Sequence, residues 1–272
     1  MQEDAFYRRL GGDRFASSPR TAGPWGPDTQ HAGPPSALLG RILQECAPRP
    51  ELRLARITLE IPRPVPVGEL EARARVVRSG GRSELLEGEI RAAGVTVMTA
   101  RAWRIARAPE DTPSLRLDRP APGVPAAPAS PPAMRGAYVL GYMAAMEWRL
   151  ARGGSFDDPG PGIAWARQRI PLLAGEEDTG PTRALTLADS SWAVGFELDL
   201  RRQFAINTDL TLALYRDPLG QWLSLQSATA ASAGGSGLAR GTMGDERGEV
   251  GVVLQTLLVS DRRPGDQRLA SD

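Results

Sequence analysis

The sequence predicts an α+β protein built from two similar halves, in each of which an antiparallel sheet wraps around one apolar helix. Three observations support this fold class. A Pro- and Ala-rich stretch divides the 272-residue chain into two parts of comparable length. Each part contains a helix with apolar periodicity followed by alternating strand segments. The elements occur in the same order in both parts, and a sheet packed on a helix buries one apolar face of each.

The composition is that of a globular domain. The chain is 41% hydrophobic and 24% charged, and its net charge of +1 comes without any basic block. Nucleic-acid binders normally carry a visible Lys/Arg excess, so we expect no nucleic-acid partner. No stretch approaches the roughly 20 apolar residues of a membrane span, and the charged N-terminus is not followed by the apolar core of a signal peptide. We therefore expect a cytoplasmic protein with no membrane partner.

Several classes of chemistry are excluded by residue usage. All basic residues are arginine, so no lysine is available for Schiff-base catalysis. The single cysteine cannot form an internal disulfide or a Cys-rich metal site. The chain has no G-x-S-x-G elbow, no P-loop and no H-E-x-x-H motif. We expect neither a metal nor a cofactor.

The domain organisation follows from the composition along the chain. Residues 108–136 are rich in Pro and Ala and lack periodicity, which predicts an extended linker. The linker separates a first half, residues 1–107, from a second half, residues 137–262. A polar tail, residues 263–272, completes the chain.

The two halves resemble each other in their strand segments. The first half contains "ITLEIPRPVPVGELEARARVV" and the second "LTLALYRDPLGQWLSLQSATA". Arg63 matches Arg216, and Gly68 matches Gly220 with a gap of one residue. Each segment predicts a strand, a Pro-containing turn and a second strand. A further strand pair follows in both halves, within "RSELLEGEIRAAGVTVMTARAWRI" and "SGLARGTMGDERGEVGVVLQTLLV".

A helix precedes these strands in each half. In "QHAGPPSALLGRILQEC" the apolar residues recur on one helical face, and the two prolines suit a first turn, where a missing N–H costs nothing. In the second half, "TRALTLADSSWAVGFEL" predicts one helix with Leu185, Trp192 and Phe196 on one face. Further strands are predicted in "AFYRRLGGDRFASS", "YVLGYMAAMEWRLARGG" and "GIAWARQRIPL".

Two polar side chains of the second half break local rules. Asp189 lies on the buried stripe if the helix is continuous, whereas it is an N-cap if a helix begins at Ser190. Gln255 interrupts the apolar run "VGVVLQTLLV", which predicts a strand covered on both faces. A buried amide needs hydrogen-bond partners, whether its role is structural or functional.

A third polar group lies in "INTDLTLALYR". Simple alternation places Ile206, Thr208 and Leu210 on one face of a strand, and Asn207 and Asp209 on the other. Taken alone, this pattern favours an ordinary strand with a polar outer face.

Together, these groups suit the activation of a water molecule. A carboxylate accepts the proton of the water while an amide and another small polar group orient it. Such a site suits a thioester, because a thiolate of pKa about 8.5 leaves without protonation. Backbone N–H groups at a helix N-terminus can stabilise the developing oxyanion.

The order and spacing of "QHAGPPSALL", "RPVPVG", "LADSSW", "INTDLT" and "VLQTLL" resemble those of the acyl-CoA thioesterase II (TesB-like) family. The resemblance covers nearly the whole chain outside the linker. It implies a double hotdog, in which two fused halves each wrap a curved antiparallel sheet around a central helix. It also implies an acyl-CoA thioesterase of lipid metabolism. The expected partner is an acyl-CoA or acyl-carrier thioester, and the expected assembly is a homodimer or larger homo-oligomer.

The family positions its attacking water with an Asp, a Thr and a Gln from the second half. Asp189 and Gln255 match the Asp and the Gln, but the Thr position falls on Asn207, with Thr208 one residue beyond. Neighbouring strand residues face opposite ways, so these two assignments exclude each other. Counting back from Arg216 favours Asn207.

His31, the only histidine, precedes the first-half helix together with Ala32 and Gly33. We expect this segment to contact the substrate, with the N–H groups of Ala32 and Gly33 as oxyanion donors and Gly33 allowing close approach of the carbonyl. His31 either shapes the turn, contacts the substrate or assists acid–base chemistry. Two other functions stay open: binding of acyl thioesters without hydrolysis, and hydration or dehydration of enoyl thioesters.

Overall fold

A computed structural model describes residues 4–109, 112–113, 122–152, 156–196, 199 and 201–261. The polar tail predicted at 263–272 and part of the linker predicted at 108–136 lie outside these ranges. The described parts of the linker, residues 108–109, 112–113 and 122–136, contain neither helix nor strand. None of the helices within the described ranges is long and apolar enough to cross a membrane.

Thirteen strands and four α-helices form the described structure. The strands are β1 (Tyr7–Gly11), β2 (Arg14–Ser17), β3 (Leu52–Glu60), β4 (Glu69–Arg78), β5 (Ser83–Ala92), β6 (Val95–Ala106), β7 (Met146–Arg152), β8 (Gly162–Gln168), β9 (Gln203–Asn207), β10 (Asp209–Leu214), β11 (Leu223–Ala231), β12 (Ser236–Asp245) and β13 (Gly248–Asp261). The helices are α1 (Gly33–Glu45), α2 (Tyr142–Ala145), α3 (Gly180–Ala188) and α4 (Ser191–Val194).

The sheet is antiparallel throughout and its strand order repeats between the halves. From the outer edge inward, the first half runs β1-β2-β4-β5-β6-β3 and the second runs β7-β8-β11-β12-β13-β10. The halves meet where β3 pairs with β10, with Thr58 opposite Thr211. Twelve strands thus form six equivalent pairs, and the thirteenth, β9, pairs with β13 outside this order. The α+β fold class and the double hotdog are confirmed.

The start of α1 lies against the end of α3 because of a glycine. A Cβ atom at Gly33 would lie 2.2 Å from the carbonyl oxygen of Thr186. Two prolines follow Gly33 in the first turn, as predicted. The apolar face of α1 buries Leu38, Leu39 and Leu43 in the core. The packing of α1 on α3 brings the N-terminus of the first-half helix to the second-half helix.

The second-half helix is interrupted, so the prediction of one helix through Phe196 is wrong. The chain leaves α3 after Ala188, and the Asp189 carbonyl accepts a hydrogen bond from Gln255 Nε2 at 3.3 Å. A distant strand therefore satisfies a carbonyl group that a continuous helix would satisfy internally. The alternative, Asp189 as the cap of a helix beginning at Ser190, is also wrong, since α4 begins one residue later with no side-chain cap.

Two strand predictions need correction. In the segment before β7, a single helical turn, α2, precedes the strand, which begins only at Met146. A hydrogen bond from the Tyr142 N–H to Ala22 O at 2.9 Å fixes this turn.

The strand containing Gln255 is not covered on both faces. Gln255 is 0% exposed, but Val252 and Leu254 on the opposite face are 44% and 43% exposed.

A bulge interrupts the alternation predicted for "INTDLT". Asn207 pairs with Leu257 on β13 and Thr211 pairs with Leu254, so one strand uses an extra residue between these points. The extra residue is Thr208, which joins β9 to β10. Ile206 and Thr208 are exposed whereas Leu210 is buried, so their placement on one face is wrong. The bulge leaves Asn207 on the side of Asp189.

Replacing Gly33 by alanine tests the helix contact. We expect Gly33→Ala to lower the free energy of unfolding by about 1–3 kcal/mol, because overpacking against the Thr186 carbonyl outweighs the better helix propensity of alanine. Urea unfolding measures the change. Gly81→Ala is the matched control, because a Cβ at that position meets open space. Equal stability of the two variants would contradict the close contact.

Candidate active site

Asp189 lies at the break between α3 and α4 and is 2% exposed. Its Oδ1 atom accepts hydrogen bonds from Asn207 Nδ2 at 2.9 Å and from Gln255 Nε2 at 3.0 Å. Its Oδ2 atom lies 3.1 Å from Nδ1 of His31. A buried carboxylate needs such partners, because its removal from water is costly. The structure therefore brings together four of the residues singled out in the sequence.

Gln255 holds the helix break rather than facing open space. Its Nε2 group donates to both the side chain and the carbonyl of Asp189. Its Oε1 atom accepts the N–H of Trp192 at 3.1 Å, which fixes the start of α4. All the polar atoms of this amide thus serve to place Asp189.

Asn207 and Thr208 occupy different environments. The Nδ2 group of Asn207 donates to Asp189 and, at 3.3 Å, to the Asp209 carbonyl, while its Oδ1 atom has no partner within the described residues. Thr208 is exposed, and its N–H donates to Thr256 O at 3.0 Å. The structure therefore brings Asn207, and not Thr208, to the carboxylate.

His31 is held tightly from three sides. Its ring stacks on Tyr142 with centroids 3.7 Å apart and planes 10° from parallel. Its Nδ1 atom lies 3.1 Å both from the Gly33 N–H, which donates to it, and from Asp189 Oδ2. Burial lowers the pKa of His31, and the nearby Asp189 charge opposes this effect. The bond from Gly33 uses Nδ1 as an acceptor, and the ring packs against the Asp189 carboxylate.

The first turn of α1 offers one free backbone donor. The N–H of Gly33 is bonded to the imidazole, the two prolines that follow have no N–H, and the N–H of Ser36 donates to Ala32 O. Within the described residues, the N–H of Ala32 has no acceptor. The space beside Gly33 is filled by the Thr186 carbonyl, so its role as an open approach for a substrate carbonyl is wrong.

An open cleft of about 560 Å³ leads to these residues. Asp189, Asn207, Ala32 and His31 all line it, whereas Gln255 does not. Its walls are formed by residues 24–32, 61–65 and 206–208, with Asp189, Trp192 and Leu258. A second, closed cavity of about 10 Å³ lies behind His31 between aromatic side chains, and it has room for about one water molecule. The open cleft is therefore the space available to a ligand.

The chain matches two protein-family descriptions. Residues 21–105 match the acyl-CoA thioesterase N-terminal domain, and residues 109–259 match the acyl-CoA thioesterase C-terminal domain. The protein belongs to the acyl-CoA thioesterase family. Its reaction is the hydrolysis of acyl-CoA thioesters. A search of curated proteins finds no match to this chain.

Solved structures resemble this thioesterase over nearly its whole length. A candidate thioesterase from Novosphingobium aromaticivorans has a TM-score of 0.71 at 20% identity, covering 93% of this chain and 98% of its own. A hotdog-fold protein from Alicyclobacillus acidocaldarius gives 0.70 at 17% identity, covering 94% and 96%. The acyl-CoA thioesterase II TesB2 from Mycobacterium marinum gives 0.61 at 15% identity, covering 95% of both chains. At these identities the likeness shows the fold.

One side chain that shapes the site of this thioesterase, Tyr142, is not among the site residues predicted from the sequence. Tyr142 supports the His31 ring, and its hydroxyl donates to Thr186 O at 2.9 Å and lies 2.9 Å from Ser190 Oγ. It belongs to a segment predicted as a strand, and no pattern in that segment distinguishes it from a core aromatic residue. Trp192, predicted only as a core residue, stacks on Trp25 at the cleft wall with centroids 5.9 Å apart.

A larger hollow of about 840 Å³ lies over strands β3 to β6. None of the residues that contact Asp189 lines it, and its walls carry arginines and glutamates such as Arg75 and Glu87, which pair with each other. Its volume alone therefore does not make it the site of thioester hydrolysis.

The single histidine allows a direct test of its contact with Asp189. We expect Asp189→Asn to lower the pKa of His31 further, because the substitution removes the opposing negative charge and leaves burial unopposed. Titration of ¹⁵N-histidine-labelled protein by NMR measures this pKa without overlap, since the chain has one imidazole. An unchanged or higher pKa in the variant would show that the carboxylate does not act on His31.

Proposed function

We propose that the protein hydrolyses its acyl-CoA substrate by direct attack of water, with Asp189 as the general base. One observation carries this proposal. The carboxylate is buried and held through Oδ1 by two amides, while it lines an open cleft beside the unpartnered Oδ1 of Asn207. A fixed base next to a second acceptor is the arrangement that orients a water molecule for proton transfer.

The proposed reaction proceeds through a tetrahedral intermediate. Asp189 takes a proton from a water whose second hydrogen is directed to Asn207, and the water oxygen attacks the thioester carbonyl carbon. The C–S bond then breaks and the thiolate leaves, because a thiol of pKa about 8.5 is a good leaving group. No protein nucleophile is needed. No cofactor takes part either, since coenzyme A enters as part of the substrate.

The backbone of α1 completes the proposed site. Ala32, whose N–H has no acceptor among the described residues, lines the cleft at the N-terminus of α1, where the helix dipole also favours negative charge. We assign to this N–H the role of stabilising the developing oxyanion. Gln255 acts through Asp189 as a positioning residue. His31 accepts the Gly33 N–H and lies against Oδ2 of Asp189, so it links the start of α1 to the carboxylate.

Asp189→Asn is the central test, because it keeps the shape of the side chain and removes the base. We expect kcat for free-thiol release from acyl-CoAs to fall by about 10²- to 10⁴-fold, with acyl-CoA binding retained. A panel from short to long and aromatic acyl groups covers the substrate range. Wild-type turnover that survives the substitution would overturn the assignment of the base.

Matched variants at the bulge separate the two candidate neighbours of Asp189. Asn207→Ala removes a hydrogen bond to the carboxylate and is expected to lower kcat about tenfold, whereas Thr208→Ala leaves the Asp189 contacts intact. The reverse result would assign the role to Thr208.

Acyl-CoA binding with no thiol release from any substrate would favour the non-hydrolytic function. Reversible addition of water to an enoyl thioester would identify a hydratase.

We also propose that a second copy of the chain covers the outward face of β13. Val252 and Leu254 on that face are 44% and 43% exposed, and an apolar stripe of this kind is typical of an interaction surface.

Light scattering tests this proposal, and we expect a dimer or larger assembly. Leu254→Glu is expected to reduce the assembly size, because a charge on the stripe opposes its burial. Val95→Glu, at an exposed apolar residue of the β5–β6 hairpin, is the control. A monomeric wild type would refute the proposal.

A further inference from the structure

The internal repeat places two arginines at equivalent positions, but only one of them has a structural partner. Arg216 donates to the carboxylate of Asp245 through Nη1 at 2.5 Å and Nη2 at 2.7 Å, and to Gly248 O at 2.9 Å. Asp245 is itself 0% exposed. Arg216 therefore anchors the turn between β10 and β11 to the end of β12.

The first half lacks the matching carboxylate. Asp245 is the last residue of β12 and precedes a two-residue hairpin to β13, and the residue in the same place on β5 is Ala92. Arg63, the counterpart of Arg216, is exposed. Within the described ranges, its side chain forms no hydrogen bond or ion pair. The equivalent position in the first half thus has the arginine without a carboxylate to bind it.

The loop that carries Arg63 is fixed at both ends to the active site. The N–H of Ile61 donates to Thr208 O at 2.8 Å, and the N–H of Gln30 donates to Val65 O at 2.8 Å. Each of these contacts is one residue away from a side chain that touches the catalytic carboxylate. Two prolines flank the arginine and restrict the backbone further. The backbone of Arg63 is therefore held at a defined place beside the cleft.

Arg63 is also the one arginine that lines the cleft. The other ionisable side chains along its walls are Asp28, His31 and Asp189. His31 and Asp189 are buried and paired with each other, which leaves Arg63 as the exposed cation of this cleft within the described residues.

We propose that Arg63 binds a phosphate of the pantetheine-linked carrier while the thioester lies at Asp189. The inference rests on the proposed function, since it assumes that the pantetheine arm occupies the cleft. A guanidinium is planar, stays charged and presents paired donors that fit phosphate oxygens. Coenzyme A and the phosphopantetheine group of a carrier protein both carry a phosphate at the end of this arm. The ligand class is therefore a phosphopantetheine thioester.

Three thioesters with the same acyl group test the proposal: acyl-CoA, acyl-phosphopantetheine and acyl-pantetheine. Arg63→Gln is expected to raise KM for the phosphorylated substrates about threefold to tenfold, with kcat unchanged and with no effect on acyl-pantetheine. Added salt should reduce the difference, because the guanidinium is exposed. Arg78→Gln is the matched control, since Arg78 is an exposed arginine at the far end of β4, outside the cleft.

The pattern of losses decides the outcome. A KM that rises in Arg63→Gln with both phosphorylated substrates supports recognition of the phosphate on the arm. A KM that rises with acyl-CoA alone supports recognition of the nucleotide phosphates of coenzyme A. An equal rise in KM with acyl-pantetheine, or an unchanged KM with every substrate, overturns the proposal. Calorimetric titration with coenzyme A itself gives a Kd for wild type and Arg63→Gln independently of turnover. A wild type that binds coenzyme A through Arg63 without hydrolysis would refute the proposed function alone.

Discussion

The burial of the Asp189 carboxylate is the constraint on which the rest of the site depends. A charge removed from water at this depth is tolerated only when its oxygens are fully hydrogen-bonded. The partners come from three separate places: β9 supplies Asn207, β13 supplies Gln255, and the segment before α1 supplies His31. None is close to Asp189 in sequence. The site therefore exists only when both halves of the double hotdog are folded against each other.

The duplication explains how one fold supplies two kinds of chemistry. The second half contributes the carboxylate and the two amides that hold it. The first half contributes the helix N-terminus, with its imidazole and the free N–H of Ala32. The halves also differ around Arg63 and Arg216, because a buried carboxylate, Asp245, binds Arg216 and Ala92 stands in the same place in the other half. A structural ion pair in one half thus corresponds to an exposed cation at the cleft in the other.

Much of the fold could be predicted because the halves repeat strongly local signals. The prolines of the first α1 turn and the alternating strands of β3 and β4 are properties of short windows, and they determine element type. The helix break and the bulge at Thr208 could not be predicted in this way. Both depend on hydrogen bonds to β13, whose Gln255 lies 66 residues after Asp189. Periodicity within one segment contains no information about such partners.

The same physical distinction applies to the site residues. The residue types and their order pointed to Asp189, Gln255 and Asn207, but the geometry assigns them different tasks. Gln255 uses every polar atom to hold the helix break and does not line the cleft. Asn207 reaches both the carboxylate and the cleft. A threonine hydroxyl has one hydrogen to donate, whereas the Asn207 amide donates two and keeps a carbonyl oxygen free. The asparagine can therefore hold the base and accept from a water at the same time, which makes it compatible with hydrolysis at this position.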